Sequence, residues 1–231
     1  MQPSDAATPV VRTFKRRSRI RPAQEAALGD LWPRFGAEPD AAPGKDPLDL
    51  AAVFGRRAPV VLEIGFGRGE ATLAMAAADP GRDVLAVDVH RAGAGALLLG
   101  LDRAGLSNVR VLVGDAVPVL RDRLAPGALD EVRIFFPDPW PKSRHHKRRL
   151  VTPATVALLA SRLRPGGRLH CATDWEPYAD EMLAAVGAEP LLHNASGGFA
   201  PRPAWRPVTR FEQQGLDKGH VVRDVVATRI D

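Results

Sequence analysis

The sequence predicts an α/β fold: a doubly wound sheet, mostly parallel, with an antiparallel strand at its C-terminal end. Three observations carry this. From Pro59 onward, short apolar runs alternate with segments of helical length. The apolar runs are continuous, as strands covered on both faces require. The last stretch within 219–230, VVRDVVATRI, instead alternates polar and apolar positions, which suits an antiparallel or edge strand.

Taken in order, Val60–Ile64 is a short apolar run ending in a glycine turn, hence a buried strand. Glu70–Asp79 is Ala-rich and helical. Val84–Val87 is a second strand, Arg91–Ala104 a helix and Val109–Val113 a third strand. Ala116–Leu124 reads as a helix and Glu131–Phe136 as a fourth strand. Pro153–Leu163 is a helix stopped by the turn Pro165-Gly166-Gly167. Arg168–Ala172 is a fifth strand and Glu176–Val186 a helix. Strands separated by helices of this length are βαβ units, and their right-handed crossovers cover both faces of the sheet.

The 231 residues, 45% of them hydrophobic, suit one domain with a core of its own. The expected organisation is a disordered stretch at 1–11 followed by a single domain over 12–231 with a basic N-terminal extension. That extension, RTFKRRSRIR at 12–21, holds six Lys or Arg and no acid. Residues 36–47, rich in Pro, Gly, Ala and Asp, read as a linker or loop. A net charge of +5 and a pI near 10.0 favour an anionic partner, nucleic acid first. The single cysteine, Cys171, excludes an internal disulfide and fits a reducing compartment, so a cytoplasmic location is expected. No apolar run approaches the ~20 residues of a membrane span, and no secretory signal is visible. His145 and His146 lack a partner at metal-ligand spacing, so no metal is expected.

The first strand runs into Glu63-Ile64-Gly65-Phe66-Gly67-Arg68-Gly69-Glu70. The dinucleotide fingerprint Gly-x-Gly-x-x-Gly would need its last glycine at position 70, which is Glu. Carboxylates at Glu63 and Glu70 would repel a pyrophosphate but suit a ligand with a cationic end, as S-adenosylmethionine has. Asp88 ends the second strand, where an acid can accept from ribose hydroxyls. Asp115 ends the third, where it can take an adenine amino group. Each has a plainer reading too: Asp88 as a helix cap, and Asp115 as N-cap of the helix from Ala116. Acids at three successive strand ends favour the cofactor reading.

The fourth strand leads into FFPDPWPKSRHHKRRL at 135–150. Three prolines stiffen the turn around Asp138, and Trp140 offers a face on which a base can stack. Lys142, Arg144, Lys147, Arg148 and Arg149 follow without an intervening acid, as phosphate contacts would. Thr173 with Glu176 fits a capping box that leaves Asp174 a helix start. Thr209-Arg210-Phe211-Glu212 reads locally as an edge turn with Phe211 in the core.

These segments also carry a resemblance. The chain is similar to the bacterial tRNA (guanine-N7-)-methyltransferases from about Arg12 to Arg229, through LEIGFGRGE at 62–70, FFPDPWPKSRHHKRRL at 135–150, TDWEPYA at 173–179 and RPVTRFEQQGLDKGH at 206–220. The resemblance implies a Rossmann-like methyltransferase sheet. It also implies methyl transfer from S-adenosylmethionine to N7 of guanine 46 in the tRNA variable loop. It marks Glu63, Asp88, Asp115 and Asp138, with the loop glycines Gly65 and Gly67, as the cofactor set. It marks Lys142, Asp174 and Thr209 through Glu212 as the substrate set, with Arg144, His145, His146, Lys147, Arg148 and Arg149 as an RNA-contacting segment. Asp138 is expected to be the catalytic carboxylate. One departure stands out: the family usually has Glu where this chain has Asp88. The likeness leaves the stretch at 36–47 unexplained and the choice between monomer and homodimer open. An exocyclic-amine methyltransferase is a rival reading, since Asp138-Pro139-Trp140 resembles an Asp-Pro-Pro-aromatic turn, although the third position is Trp.

Overall fold

The computed structural model describes residues 19–37 and 46–231. The stretch expected to be disordered at 1–11, most of the basic extension and most of the linker at 36–47 lie outside the described residues.

The strands are β1 (Val60–Ile64), β2 (Asp83–Asp88), β3 (Val109–Val113), β4 (Leu129–Phe135), β5 (Leu163–Thr173), β6 (Leu192–His193) and β7 (Arg223–Arg229). They form one sheet in the order β3-β2-β1-β4-β5-β7-β6. The first five pair in parallel. β7 runs antiparallel between β5 and β6, as its alternating pattern predicts. The helices are α1 (Pro22–Asp30), α2 (Trp32–Phe35), α3 (Leu50–Phe54), α4 (Glu70–Ala78), α5 (Arg91–Ala104), α6 (Ala116–Pro118), α7 (Pro153–Arg162), α8 (Glu176–Gly187) and α9 (Arg210–Leu216). Successive strand residues point to opposite faces, so β1 feeds two cores. Leu62 packs with Leu85, Ile134 and Leu169 on one face; Val61 packs with Ala86, Leu97 and Leu98 on the other. Cys171 is buried in the first core, as expected.

Four features depart from the sequence reading. The helix expected over 116–124 is only α6, continued by a wider π turn at Val119–Arg123. β5 starts at Leu163, so the Pro165-Gly166-Gly167 turn is an irregularity within the strand, matched by a register shift on β4 between Leu129 and Glu131. The edge turn expected at 209–212 is the start of α9, with Thr209 as N-cap accepting from the Glu212 amide. Phe211 is 55% exposed rather than in the core. Ahead of the sheet, α1 opens with Pro22, and the Gln24 side chain accepts from the Arg21 amide at 2.9 Å. The chain then runs along the outer edge of β3, bridging Gly36 to Val111 and donating from the Ala37 amide to the Val111 carbonyl at 2.8 Å. That pairing covers backbone groups an edge strand would otherwise expose.

Candidate active site

The strand order reverses between β1 and β4, and in open α/β sheets ligands bind beyond the carboxyl ends of the strands at such a point. An open cleft of about 710 Å³ lies there. Its near wall is Glu63 and the glycine loop, and its far wall is Asp138, Asp174, Thr209 and Phe211. Gly65 and Gly67 both adopt positive φ, 85° and 59°, a region L side chains rarely enter. The loop is held from behind. The Gly65 amide donates to the Val87 carbonyl at 2.8 Å and the Gly67 amide to Asp88 Oδ2 at 2.9 Å. A Cβ on Gly93 would lie 2.0 Å from the Gly67 carbonyl oxygen. The bare backbone of α5 at Gly93 is what lets the loop sit where it does, and no sequence motif announced that close approach.

The three strand-end acids differ in place. Glu63, 4% exposed, lines the cleft, and its Oε2 has no hydrogen-bond partner. Burial pushes its carboxyl up to about 7, against the opposing pull of Thr72 and the Arg133 charge. The Thr72 hydroxyl is close enough to favour the ionised form, but it too makes no well-formed hydrogen bond. Asp88 lies behind the loop, accepting from the Gly67 and His90 amides at 2.9 and 3.0 Å. Burial raises its pKa and those two bonds lower it. Asp115 is the N-cap of α6, accepting from the Val117 amide at 2.9 Å.

The stretch after β4 is a tight, stiff loop. Its ends, Phe136 and Trp140, are non-glycine residues at φ of 51° and 45°, a conformation costing on the order of 1–3 kcal/mol each unless neighbours impose it. Between them Asp138 lines the cleft. Trp140 does not offer a face for a base. It is 4% exposed, and the Arg148 guanidinium covers its ring at 4.8 Å. The following residues form a 3-10 turn at Ser143–Arg148. Lys142, Arg144 and Lys147 are exposed, and His145, His146 and Arg148 half-buried. Burial, then the charges of Arg148 and Arg144, hold the His145 imidazole below its usual value, which favours the neutral ring. Arg149, expected among the RNA contacts, is 2% exposed and turned away from solvent by its own partners. Its Nε donates to the Pro139 carbonyl at 2.8 Å, and its guanidinium meets Glu181 at 2.5 Å.

The far wall joins segments remote in sequence. Asp174 Oδ2 lies 2.8 Å from His220 Nδ1. The capping box expected at Thr173 and Glu176 is absent: Trp175 is the N-cap of α8 and no side chain caps it. The Thr173 hydroxyl instead accepts from the Trp175 amide at 3.2 Å. Trp175 is 37% exposed and lines the cleft with Phe211, whose ring packs edge-on against Phe136 at 5.5 Å. Arg210 opens α9. Glu212 is 2% exposed and its Oε2 accepts from Arg206 Nη1 at 2.8 Å. Arg206, itself 1% exposed, also meets Asp224, whose Oδ1 lies 2.6 Å from His170 Nε2. Sequence reasoning missed Arg206, Asp224 and His170. Each is one polar residue among other charged ones in its segment, and only the fold shows that the three meet. Among the described residues no group of three His, Cys, Asp or Glu could hold a metal. None of their helices is long and apolar enough to cross a membrane.

A family model described as "Putative methyltransferase" matches residues 57–225. A tRNA (guanine-N(7)-)-methyltransferase of Streptomyces avermitilis is 55% identical over 95% of this chain and 76% of its own length. One from Acidovorax sp. is 52% identical over 98% and 90%. Among solved structures, the 16S rRNA methyltransferase KamB superposes with a TM-score of 0.61 at 19% identity, covering 81% of this chain and 96% of its own. A 16S rRNA (adenine(1408)-N(1))-methyltransferase from Catenulisporales acidiphilia, solved with cosubstrate SAM, gives 0.53 at 19% identity over 81% and 92%. The last two likenesses concern the fold.

Proposed function

The chain belongs to the tRNA (guanine-N7-)-methyltransferase family, and from that premise we propose that it methylates N7 of guanine 46 in the tRNA variable loop. S-adenosylmethionine is the methyl donor; it supplies an electrophilic methyl group on a cationic sulfur. The residues at the ends of β1 and β4 fit it. Glu63 presents a buried carboxylate oxygen with no protein partner, and a cationic ligand is what such a group lacks. A Cβ on Gly65 or Gly67 would meet nothing within 4 Å, so the loop leaves open space on the cleft side. Asp88 shapes that loop through Gly67, and its remaining acceptor capacity is suited to a ribose hydroxyl. A shorter Asp where the family usually has Glu fits this double duty.

Guanine N7 carries an exposed lone pair, so no proton leaves before attack. The ring then becomes cationic, and Asp138 and Asp174, on the same cleft, stabilise the developing charge electrostatically. Positioning dominates the rest, since holding reactants in a near-attack arrangement supplies ~7–11 kcal/mol. Trp175 and Phe211, the exposed aromatics of the cleft, take the base-stacking role in place of Trp140. Thr209 sits with them on the far wall. Lys142, Arg144 and Lys147 are the exposed cations suited to the tRNA phosphates. A tRNA substrate favours a cytoplasmic location.

The observation that carries the reading is the meeting in one cleft of an unpartnered buried carboxylate at Glu63 with Asp138, Asp174 and Phe211. The test is incubation with labelled S-adenosylmethionine and unmodified tRNA, followed by mapping of the label. Label on N7 of guanine 46 is expected. Label on an exocyclic amine, or on another guanine, would overturn it.

A further inference from the structure

Arg149 ends a run of basic residues, yet it is the one placed furthest from solvent. Its side chain is 2% exposed, against 49% for Glu181, its partner on α8. Three contacts hold it. Nε donates to the Pro139 carbonyl at 2.8 Å, Nη1 forms an ion pair with Glu181 Oε2 at 2.5 Å without hydrogen-bond alignment, and Cζ sits 4.7 Å from the centre of the Tyr178 ring. Tyr178 belongs to the same scheme, since its hydroxyl accepts from the Val151 amide at 2.9 Å. That bond fastens the chain just beyond Arg149 to α8. Pro139 lies between Asp138 and Trp140, inside a loop whose two ends are held at positive φ by non-glycine residues. Such a backbone persists only where its surroundings over-determine it.

Building on the methyl-transfer reading, we propose that Arg149 is a positioning residue. It clamps the Phe136–Trp140 loop to α8 and thereby fixes where Asp138 stands in the cleft. It does not touch the RNA. A guanidinium suits this task because it is a planar fork that can donate sideways from Nε, pair with a carboxylate and lie on a ring at once. An ammonium at the same place can satisfy only part of that set. The adjacent Arg144 and Lys147, exposed and without an acid beside them in the chain, carry the electrostatic attraction instead.

The experiment compares Arg149→Lys, Arg149→Met and Glu181→Gln with Arg144→Ala, reading three quantities for each. These are kcat and KM for tRNA, the salt dependence of tRNA binding, and hydrogen exchange at the Asp138 and Trp140 amides. Arg149→Met is expected to speed exchange at those amides and to lower kcat on the order of 100-fold. Its tRNA KM and salt slope should stay close to wild type. Arg149→Lys keeps the charge, so a phosphate interaction would survive it, whereas the clamp predicts that kcat stays depressed. Glu181→Gln, which removes the charge but keeps a polar group beside the guanidinium, should act in the same direction and less strongly. Arg144→Ala should flatten the salt slope by roughly 0.7–0.9 for each phosphate no longer neutralised, with exchange at the loop amides unchanged from wild type. A flattened slope in Arg149→Met with unchanged exchange, or full rescue by Lys, would overturn the proposal. A wild-type protein that fails to methylate tRNA would break the functional reading instead, and the exchange comparison would still decide the clamp.

Discussion

The two walls of the cleft are built in different ways. The near wall is local: Glu63, the glycine loop and Asp88 lie at the ends of neighbouring parallel strands, and each is fixed by backbone within a few residues of a strand end. The far wall is assembled from distant segments through polar side-chain contacts, some buried and one exposed. His170 reaches Asp224 across 54 residues of sequence, Asp174 reaches His220 across 46, and Arg206 ties Glu212 on α9 to Asp224 on β7. A parallel sheet positions whatever sits at its carboxyl edge at little extra cost. A wall outside that sheet needs its own fastening, and here the fastening is ionic.

The sharpest way to break that contrast is Arg206→Met. It removes the buried guanidinium shared by Glu212 and Asp224, 2% and 1% exposed, leaving them only Arg202 at 3.8 Å and the His170 ring, a change that costs about 3–5 kcal/mol. Chemical denaturation should show that destabilisation, and α9 should gain the most hydrogen exchange. An undisturbed α9 would mean that the ionic network does not hold the far wall. Next comes Asp138→Ala, at the seam between the walls. Turnover should fall by a factor consistent with about 2.7–4 kcal/mol of lost electrostatic stabilisation, with thermal stability kept. Near-normal turnover would remove Asp138 from the chemistry.

The last effect belongs to the near wall and is a matter of pH. Glu63 has its carboxyl raised from 4.5 to about 7 by burial. A raised pKa means that the folded, ligand-free protein holds this proton more tightly than the unfolded chain does. The associated stability is therefore complete below pH ~4.5 and is lost as pH rises through about 7, a drop on the order of 3 kcal/mol. Binding of a cation needs the ionised form, so affinity for S-adenosylmethionine should weaken as pH falls below 7, with a proton released on binding. Glu63→Gln should bind more weakly above pH 7, converge with wild type as pH falls, and lose this dependence. Calorimetric titration across pH 5–9 checks both, and a pH-independent wild-type affinity would refute the assignment.

By itself the sequence determined the sheet apart from the short edge strand β6. Its parallel strands, the antiparallel β7, the glycine loop and the acid at each strand end were legible because strand periodicity and turn chemistry act over a few residues. The resemblance carried by 135–150 and 206–220 added the family, and with it the reaction. What only the tertiary structure decided was which of those residues face the cleft. A cation run reads the same whether solvated or buried, so Arg149 could not be told from Arg144 until α8 brought Glu181 and Tyr178 against it. Trp140 read as an open face until its loop turned it inward, leaving Trp175 and Phe211 as the exposed aromatics. Arg206, Asp224 and His170 carried no local signal that they meet. Desolvation and charge pairing depend on what lies across space, and three segments far apart in the chain have no periodicity that encodes their meeting.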